Sequence, residues 1–218
     1  MEHELRQLPF WPKLEPKERE YLIQTAGRRS FQKKDLIHSH NAQCLGMFRV
    51  LKGIVRIFIL SEEGREVTLF RVHEGETCVL AASCFIKSIT FDTQLVAETD
   101  CELLVVGGTA FSLLSQNVHV RCYMFEKATE HFSSVMWSMQ QILFAKFDQR
   151  LATFLLEEHD RTGKSTVKMS QEEIAQHTSS AREVVARMLK RFSADGLVEV
   201  RRGEILLKDI PALRLLAY

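Results

Sequence analysis

The chain has 218 residues, of which 45% are apolar and 26% charged, and its formal net charge is +1. This composition excludes wholesale disorder, and the length allows one large domain or two small ones. No apolar run reaches the roughly 18–20 residues needed to cross a bilayer, the N-terminal residues do not resemble a secretory signal, and the five cysteines lack CxxC spacing. We therefore expect a cytoplasmic protein without a membrane partner.

The first thirty residues predict a short helical segment that Pro9, Pro12 and Pro16 interrupt. From about residue 31 to 106, the pattern changes to short β-type runs separated by turn residues. The runs are MFRVLKG, IVRIFIL, EVTLFRV, TQLVAET and ELLVV. Short strands at such even spacing are typical of an all-β barrel or roll.

A long helix is predicted next, because residues 118–147 contain neither glycine nor proline. Apolar residues recur there at alternating intervals of three and four, as in the a and d positions of a coiled coil. So narrow a stripe favours pairing with the same helix of a second chain, although a helix lying on the barrel would also have an apolar face. The predicted dimer contacts are Phe125, Ala128, Phe132, Val135, Met139 and Ile142.

Two short helices are predicted near the end of the chain. Ser170 with Glu173 has the pattern of a capping box, and Ser180 with Glu183 repeats it. Gly196 ends the second helix. Two helices joined by a tight turn form a helix-turn-helix, and the following LVEVRRGEILLKD predicts a hairpin that could act as a wing.

The second of these helices has one apolar and one polar face. The apolar residues are Val184, Val185, Met188, Leu189 and Phe192, and the polar face carries Arg182, Glu183, Ala186, Arg187 and Lys190. In the major groove, arginine can donate two hydrogen bonds to guanine, and glutamate can accept one from cytosine. A solvated helix face with chance arginines is the alternative that this pattern alone leaves open.

DNA contacts are predicted from this pattern. The base-reading residues are Arg182, Glu183 and Arg187. The residues placed at the DNA backbone are Ser170, Ser179, Ser180, Lys190, Arg201 and Arg202.

The order of these parts resembles the catabolite-activator/fumarate-nitrate regulator (CRP/FNR) family of bacterial transcription factors. The resemblance covers Phe31 to Asp209 and is most specific in LKGIVRIFILSEEGREVTL and SAREVVARMLKRFSADGLVEV. It implies DNA half-sites resembling TGTGA, with each base-reading arginine on a guanine and the glutamate on a cytosine. It also implies RNA polymerase as a partner. Ala181 departs from the family, which has a phosphate-binding serine at that position.

The resemblance also indicates which cofactors to expect. Cyclic-nucleotide members of the family use a Gly-Glu pair on the ribose and an Arg-Ser or Arg-Thr pair on the phosphate. Those pairs fall here on Val79-Leu80 and Phe91-Asp92, which offer the phosphate no cation. The oxygen-sensing branch holds an iron–sulfur cluster on closely spaced N-terminal cysteines, and this chain has none before Cys44. We therefore expect neither cyclic AMP nor an N-terminal iron–sulfur cluster.

The segment CVLAASCF takes the place of the family's phosphate-binding pair. One interpretation is an apolar pocket for an unidentified small effector, and the other is that both cysteines are ordinary core residues. A redox signal at these thiols is a weaker option, because no neighbour clearly lowers a thiol pKa. The residues predicted to line the pocket are Cys78, Val79, Leu80, Cys84, Phe91, Tyr123, Met124 and Lys127.

Histidines raise the question of a metal or haem. His38 and His40 alternate as in a cupin, which leaves a cupin-like metal-binding enzyme or small-molecule-binding protein as the alternative function. Two histidines without a third ligand are a weak metal site, and we assign none. His73 could hold a haem, although a solvated turn histidine explains it better. His131 flanks the predicted dimer stripe, where it could tune the dimer by protonation or could simply be exposed.

The predicted fold class is α+β. Residues 1–117 form the helical start and a β-roll, a double-stranded β-helix like a cyclic nucleotide-binding domain. Residues 118–147 form the dimerisation helix, and residues 148–218 form a winged helix-turn-helix. The predicted protein is not an enzyme but a homodimer that binds double-stranded DNA, regulates transcription and responds to an effector other than cyclic AMP.

Overall fold

The computed structural model describes residues 1–38, 45–64, 66–79 and 93–217. The chain divides into two compact units, one made of Met1–Leu60 with Leu69–Met136 and the other of Ser61–Thr68 with Trp137–Tyr218. Within the described ranges, every helix is too short or too polar to cross a membrane.

The first unit begins with short helices. α1 (Glu2–Leu5) and α2 (Pro16–Thr25) are separated by a 3-10 turn at Trp11–Lys13. Pro16 lies in the first turn of α2, where its missing N–H removes no helical hydrogen bond. The helical segment with proline breaks is therefore confirmed.

Two four-stranded sheets follow, with the strand orders β1-β8-β3-β6 and β2-β7-β4-β5. The strands are β1 (Ala26–Phe31), β2 (Leu36–His38), β3 (Met47–Lys52), β4 (Val55–Leu60), β5 (Glu66–Val72), β6 (Thr77–Cys78), β7 (Gln94–Ala97) and β8 (Cys101–Val106). Strands β3, β4, β5, β7 and β8 coincide with the five predicted runs, which confirms the β-roll. The pattern does not predict β1, because its central residues Arg28, Arg29 and Ser30 are all exposed.

The two sheets enclose an apolar core. It contains Phe48, Val50, Val55, Ile57, Leu69, Val72, Cys78, Leu95, Ala97, Leu103 and Val105. The other face of β4 is buried as well, since Arg56 and Phe58 are 5% and 4% exposed. The Arg56 guanidinium lies 4.3 Å from the centre of the Phe58 ring, so a cation–π contact accompanies this burial.

A second core lies on the outer face of the first sheet. Helices α3 (Gly108–Leu114) and α4 (Val118–Phe144) contribute Phe111, Val120 and Tyr123 to it, together with side chains of the N-terminal helices. The long helix predicted over 118–147 is confirmed, although it ends at Phe144. Lys146 then starts the next helix with a capping box of its own.

The C-terminal part of the chain is a winged helix-turn-helix, as predicted. Its elements are α5 (Phe147–Thr162), β9 (Thr166–Val167), α6 (Gln171–His177), α7 (Arg182–Ala194), β10 (Val198–Arg201), β11 (Glu204–Leu207) and α8 (Ile210–Ala217). The three strands form one sheet in the order β10-β11-β9. A third core holds these elements together, and its buried side chains include Leu151, Leu155, Ile174, Val185, Leu189, Phe192, Val198, Ile205 and Leu213.

Candidate DNA-binding and effector sites

Helix α6 begins with the predicted capping box. The Ser170 hydroxyl accepts a hydrogen bond from the Glu173 N–H at 3.2 Å, and the Glu173 carboxylate accepts one from the Ser170 N–H at 2.8 Å. The same hydroxyl donates to that carboxylate at 2.9 Å. Ser170 was placed at the DNA backbone, but its hydroxyl is already used to cap α6.

Helix α7 begins one residue later than the second predicted capping box requires. Its N-cap is Ala181, and the first helical hydrogen bond runs from the Val185 N–H to the Ala181 carbonyl. Ser180 precedes the cap and donates its N–H to the Ala175 carbonyl. The predicted capping box of Ser180 with Glu183 is therefore wrong.

Ser179 is also misplaced by the sequence pattern. Its side chain is 2% exposed and its φ is +49°, so it lies inside the turn between the two helices. A phosphate contact needs an accessible hydroxyl. The prediction that Ser179 contacts the DNA backbone is therefore wrong.

The missing cap of α7 leads to a stability prediction. Ala181 has the extended backbone of an N-cap, with φ −87° and ψ 148°, but no oxygen to accept a free N–H of the first turn. We expect Ala181→Ser to raise the free energy of unfolding by about 0.5–2 kcal/mol. Urea unfolding of the full chain would measure the change. Ala181→Val, which lacks an acceptor, should not stabilise the protein, and an equal effect of both substitutions would contradict the capping argument.

Helix α7 ends as predicted. Gly196 follows the C-cap Asp195 with φ +76°, a left-handed conformation that favours glycine. The Leu197 N–H donates to the Phe192 carbonyl at 2.9 Å, and the Gly196 N–H donates to the Ser193 carbonyl at 3.2 Å. These two bonds form a Schellman motif, which fixes the length of the helix.

The polar face of α7 points away from the core. Val185, Leu189 and Phe192 are buried, whereas Arg182, Glu183, Arg187 and Lys190 are exposed. At 100° per residue, the polar positions occupy an arc of about 140° opposite the apolar stripe. Among the described residues, no carboxylate pairs with Arg182 or Arg187. Both guanidinium groups therefore keep their full hydrogen-bonding capacity for a partner.

The wing is the two-residue turn between β10 and β11, in which Gly203 has φ +75°. Arg201 donates to Glu199 at 2.8 Å and lies 3.7 Å from Glu204, and the bond to Glu199 raises the pKa of Arg201. Arg202 is exposed, and the part of the chain that the structure describes gives it no carboxylate partner. Of the two predicted wing arginines, Arg202 is thus the one available to a phosphate.

The predicted effector pocket is not assembled as one wall. Cys78 and Val79 are both fully buried, but Cys78 packs in the core between the sheets and Val79 in the core on the outer face. Neighbouring residues of a strand point to opposite faces, so these two do not line one pocket. Leu80, Cys84 and Phe91 lie outside the described residues.

The helical part of the predicted pocket is mixed in character. Tyr123 is buried and packs edge-on against Phe10, with 5.2 Å between the ring centres. Met124 is half-buried against the same core. The Lys127 ammonium lies 2.6 Å from Glu130, and this hydrogen bond raises the pKa of Lys127. Lys127 therefore belongs to the polar edge of α4 and not to an apolar wall.

The histidines differ from the metal-site interpretation. His38 is 9% exposed, and burial lowers its pKa, while His40 lies outside the described residues. In the described ranges, no three His, Cys, Asp or Glu side chains are grouped so that they could hold a metal ion. His131 is only 8% exposed, so its interpretation as an exposed helix position is wrong. Desolvation on burial is the main cause that lowers the pKa of His131.

The predicted dimer stripe runs along α4 with two kinds of position. Phe125, Phe132 and Met139 are 59%, 65% and 45% exposed. Ala128 and Val135 are half-buried and pack against the cores of their own protomer. The stripe was predicted without a second group of exposed apolar residues on α4, namely Met136, Trp137, Leu143 and Phe144. Their spacing of one and seven residues was the available signal.

Comparison with protein families gives two matches. Residues 28–117 match the cyclic nucleotide-binding domain, and residues 149–216 match the Crp-like helix-turn-helix domain. Two curated relatives are each 24% identical to the chain. One is the cAMP-activated global transcriptional regulator Vfr of Pseudomonas aeruginosa, over 87% of this chain and 92% of Vfr. The other is the transcriptional regulator SdrP of Thermus thermophilus, over 78% of this chain and 83% of SdrP.

Solved structures give the strongest likeness. A crp/fnr-family protein from Eubacterium rectale is 35% identical, with a TM-score of 0.92 over 97% of this chain and 99% of that one. The c-di-GMP responsive regulator CLP of Xanthomonas campestris shares the fold, with a TM-score of 0.75 at 20% identity over 89% of this chain and 100% of CLP. The relatives are transcriptional regulators and not enzymes, which overturns the cupin-like alternative. The chain belongs to the CRP/FNR family and is a DNA-binding transcriptional regulator.

Proposed function

We propose that this protein acts as a homodimer that reads palindromic DNA sites with half-sites resembling TGTGA. The observation that carries this proposal is the exposed face of α7. Arg182 and Arg187 flank Glu183 on one arc, and neither arginine is paired with a carboxylate of the described residues. Each arginine suits a guanine, which accepts two hydrogen bonds, and the glutamate suits a cytosine amine. Lys190 and Arg202 lie beside this face as phosphate contacts.

The dimer supplies the second half-site. Phe125 and Phe132 expose more than half of their surface on α4, and burying them against a second copy would remove apolar area from water. A two-fold axis along the paired helices would place the recognition helices about 34 Å apart, one turn of DNA. RNA polymerase would be the further partner of the DNA-bound dimer, and the cytoplasm its place of action.

The effector is proposed to differ from cyclic AMP. Vfr is described as cAMP-activated and CLP as c-di-GMP responsive, so relatives with this fold respond to different molecules. In this chain, Val79 occupies the position that the resemblance gives to the glycine of the ribose-binding pair. Its side chain is fully buried in the core, which supports an effector other than a cyclic nucleotide.

A mobility-shift experiment tests the DNA-binding proposal. The probes are a duplex with two inverted TGTGA half-sites centred about 10 bp apart, the same duplex with 5 bp inserted between them, and a duplex with both half-sites scrambled. We expect binding to the first duplex to be at least roughly 10³-fold tighter than to the scrambled one. The insertion should weaken binding as well, because it turns one half-site to the far side of the helix. Equal affinity for all three duplexes would refute sequence reading by a dimer.

A further inference from the structure

Helix α4 passes over the place where the two sheets of the roll end. β6 is the last strand of one sheet, and β5 is the last strand of the other. His131 of α4 contacts both strands. Its ring stacks on Phe70 of β5, with 4.7 Å between ring centres and 10° between planes, and the Thr77 backbone of β6 lies close enough to influence its protonation.

Two buried polar atoms meet at this place without a hydrogen-bond partner in the described part of the chain. They are Nε2 of His131 and Oγ1 of Thr77, whose side chains are 8% and 2% exposed. Buried polar atoms are nearly always hydrogen-bonded, because leaving one unsatisfied costs free energy. The two atoms do not satisfy each other either. The pair therefore calls for a third group.

The direction of the Thr77 side chain follows from strand alternation. Cys78 points into the core between the sheets, so Thr77 and Val79 point to the opposite face. Val79 packs there with Val120 and Tyr123 of α4. Thr77 therefore faces the same helix that carries His131.

The charges around this pair decide which group fits. Lys127 and Glu130 lie on α4, and Glu76 precedes Thr77; all three act electrostatically on His131. One cation and two carboxylates do not favour an anionic ligand. A hydroxyl group is neutral and can both donate and accept, so it can bond the Thr77 hydroxyl and either tautomer of the imidazole with a single oxygen.

We propose that Thr77 Oγ1 and His131 Nε2 are the polar half of the effector site and bind the hydroxyl group of a small neutral alcohol with an apolar body. This inference rests on the proposed control of the regulator by an effector. It replaces the purely apolar ligand that the sequence predicts. Because the two residues lie on β6 and α4, the bound hydroxyl would join a strand of the roll directly to the helix that carries the dimer stripe.

Thermal unfolding of the full-length protein tests the inference with two probes of equal size, benzyl alcohol and ethylbenzene, at the same millimolar concentration. We expect benzyl alcohol to raise the unfolding temperature more than ethylbenzene does. The difference should vanish in Thr77→Val and in His131→Phe, and it should persist in Thr109→Val, an exposed control in α3. Equal shifts by both probes, no shift, or a difference that survives in Thr77→Val would each overturn the proposal.

The ligand-free variants provide a second measurement. Thr77→Val removes an unsatisfied buried hydroxyl, so it should unfold at the same temperature as the parent protein or a few degrees higher. A clearly lower unfolding temperature would mean that the hydroxyl has a structural partner, which also overturns the proposal. DNA binding is measured separately by mobility shift. If the parent protein fails to bind the palindrome, the proposed function fails while the ligand result stands.

Discussion

Replacing Arg182 with alanine is expected to abolish sequence-specific DNA binding while leaving the fold intact. Arg182 is exposed in the first turn of α7, and no described carboxylate depends on it. An arginine–guanine pair contributes about 1–3 kcal/mol of discrimination, and a dimer loses two of them. We therefore expect affinity for the TGTGA palindrome to fall by roughly 30-fold to 10⁴-fold.

Lys190→Ala is the matched control for Arg182→Ala. Lys190 is exposed on the same face of α7 but is proposed to contact phosphate. Its loss should weaken binding to palindrome and scrambled DNA alike and should make the salt dependence shallower. Fluorescence anisotropy at several salt concentrations separates the two effects. If Arg182→Ala keeps the ratio of palindrome to scrambled affinity, Arg182 does not read a base.

A carboxylate at the centre of the α4 stripe is expected to separate the dimer. Phe132 is 65% exposed, so Phe132→Asp removes no side chain from the core of the protomer. In a dimer, two aspartates would face each other across the two-fold axis in an apolar seam, where unpaired charges are strongly disfavoured. Light scattering after size-exclusion chromatography should then give the mass of one chain.

DNA binding should fall together with dimerisation. A monomer binds the second half-site no longer as part of one complex, so apparent affinity should fall by about 10²–10⁴. Ser133→Asp is the control, because Ser133 is exposed beside Phe132 but lies off the stripe. Both variants should keep the circular dichroism spectrum of the parent protein. A Phe132→Asp protein that still elutes as a dimer would place the interface elsewhere.

The elements that could be predicted from sequence are those with a strong repeating pattern. The β4 run alternates and α7 repeats its apolar residues every three or four positions, and both are found where expected. β1 has no such pattern, since it is held by pairing with β8 and exposes Arg28 and Arg29. Backbone pairing between distant strands leaves no trace in a local run of residues.

The sites were predicted less completely than the fold, for a physical reason. The face of α7 follows from helical geometry, so Arg182, Glu183 and Arg187 could be grouped without a structure. The start of α7 could not be located to one residue, because Ser180 fits a capping box in sequence while Ala181 occupies the cap in space. His131 and Thr77 are 54 positions apart, and only folding reveals that both are buried without partners.

The two kinds of position on α4 also bear on how regulators of this type can be recombined. Ala128 and Val135 fill gaps in the cores of the roll, so the helix is part of that packing unit and not an interchangeable spacer. Lys146 gives α5 a start signal of its own. A chimera that joins this roll to a foreign DNA-binding domain should therefore be cut at Ala145, after the long helix. A cut at residue 117 would pair the roll with a helix that was never shaped to fit it.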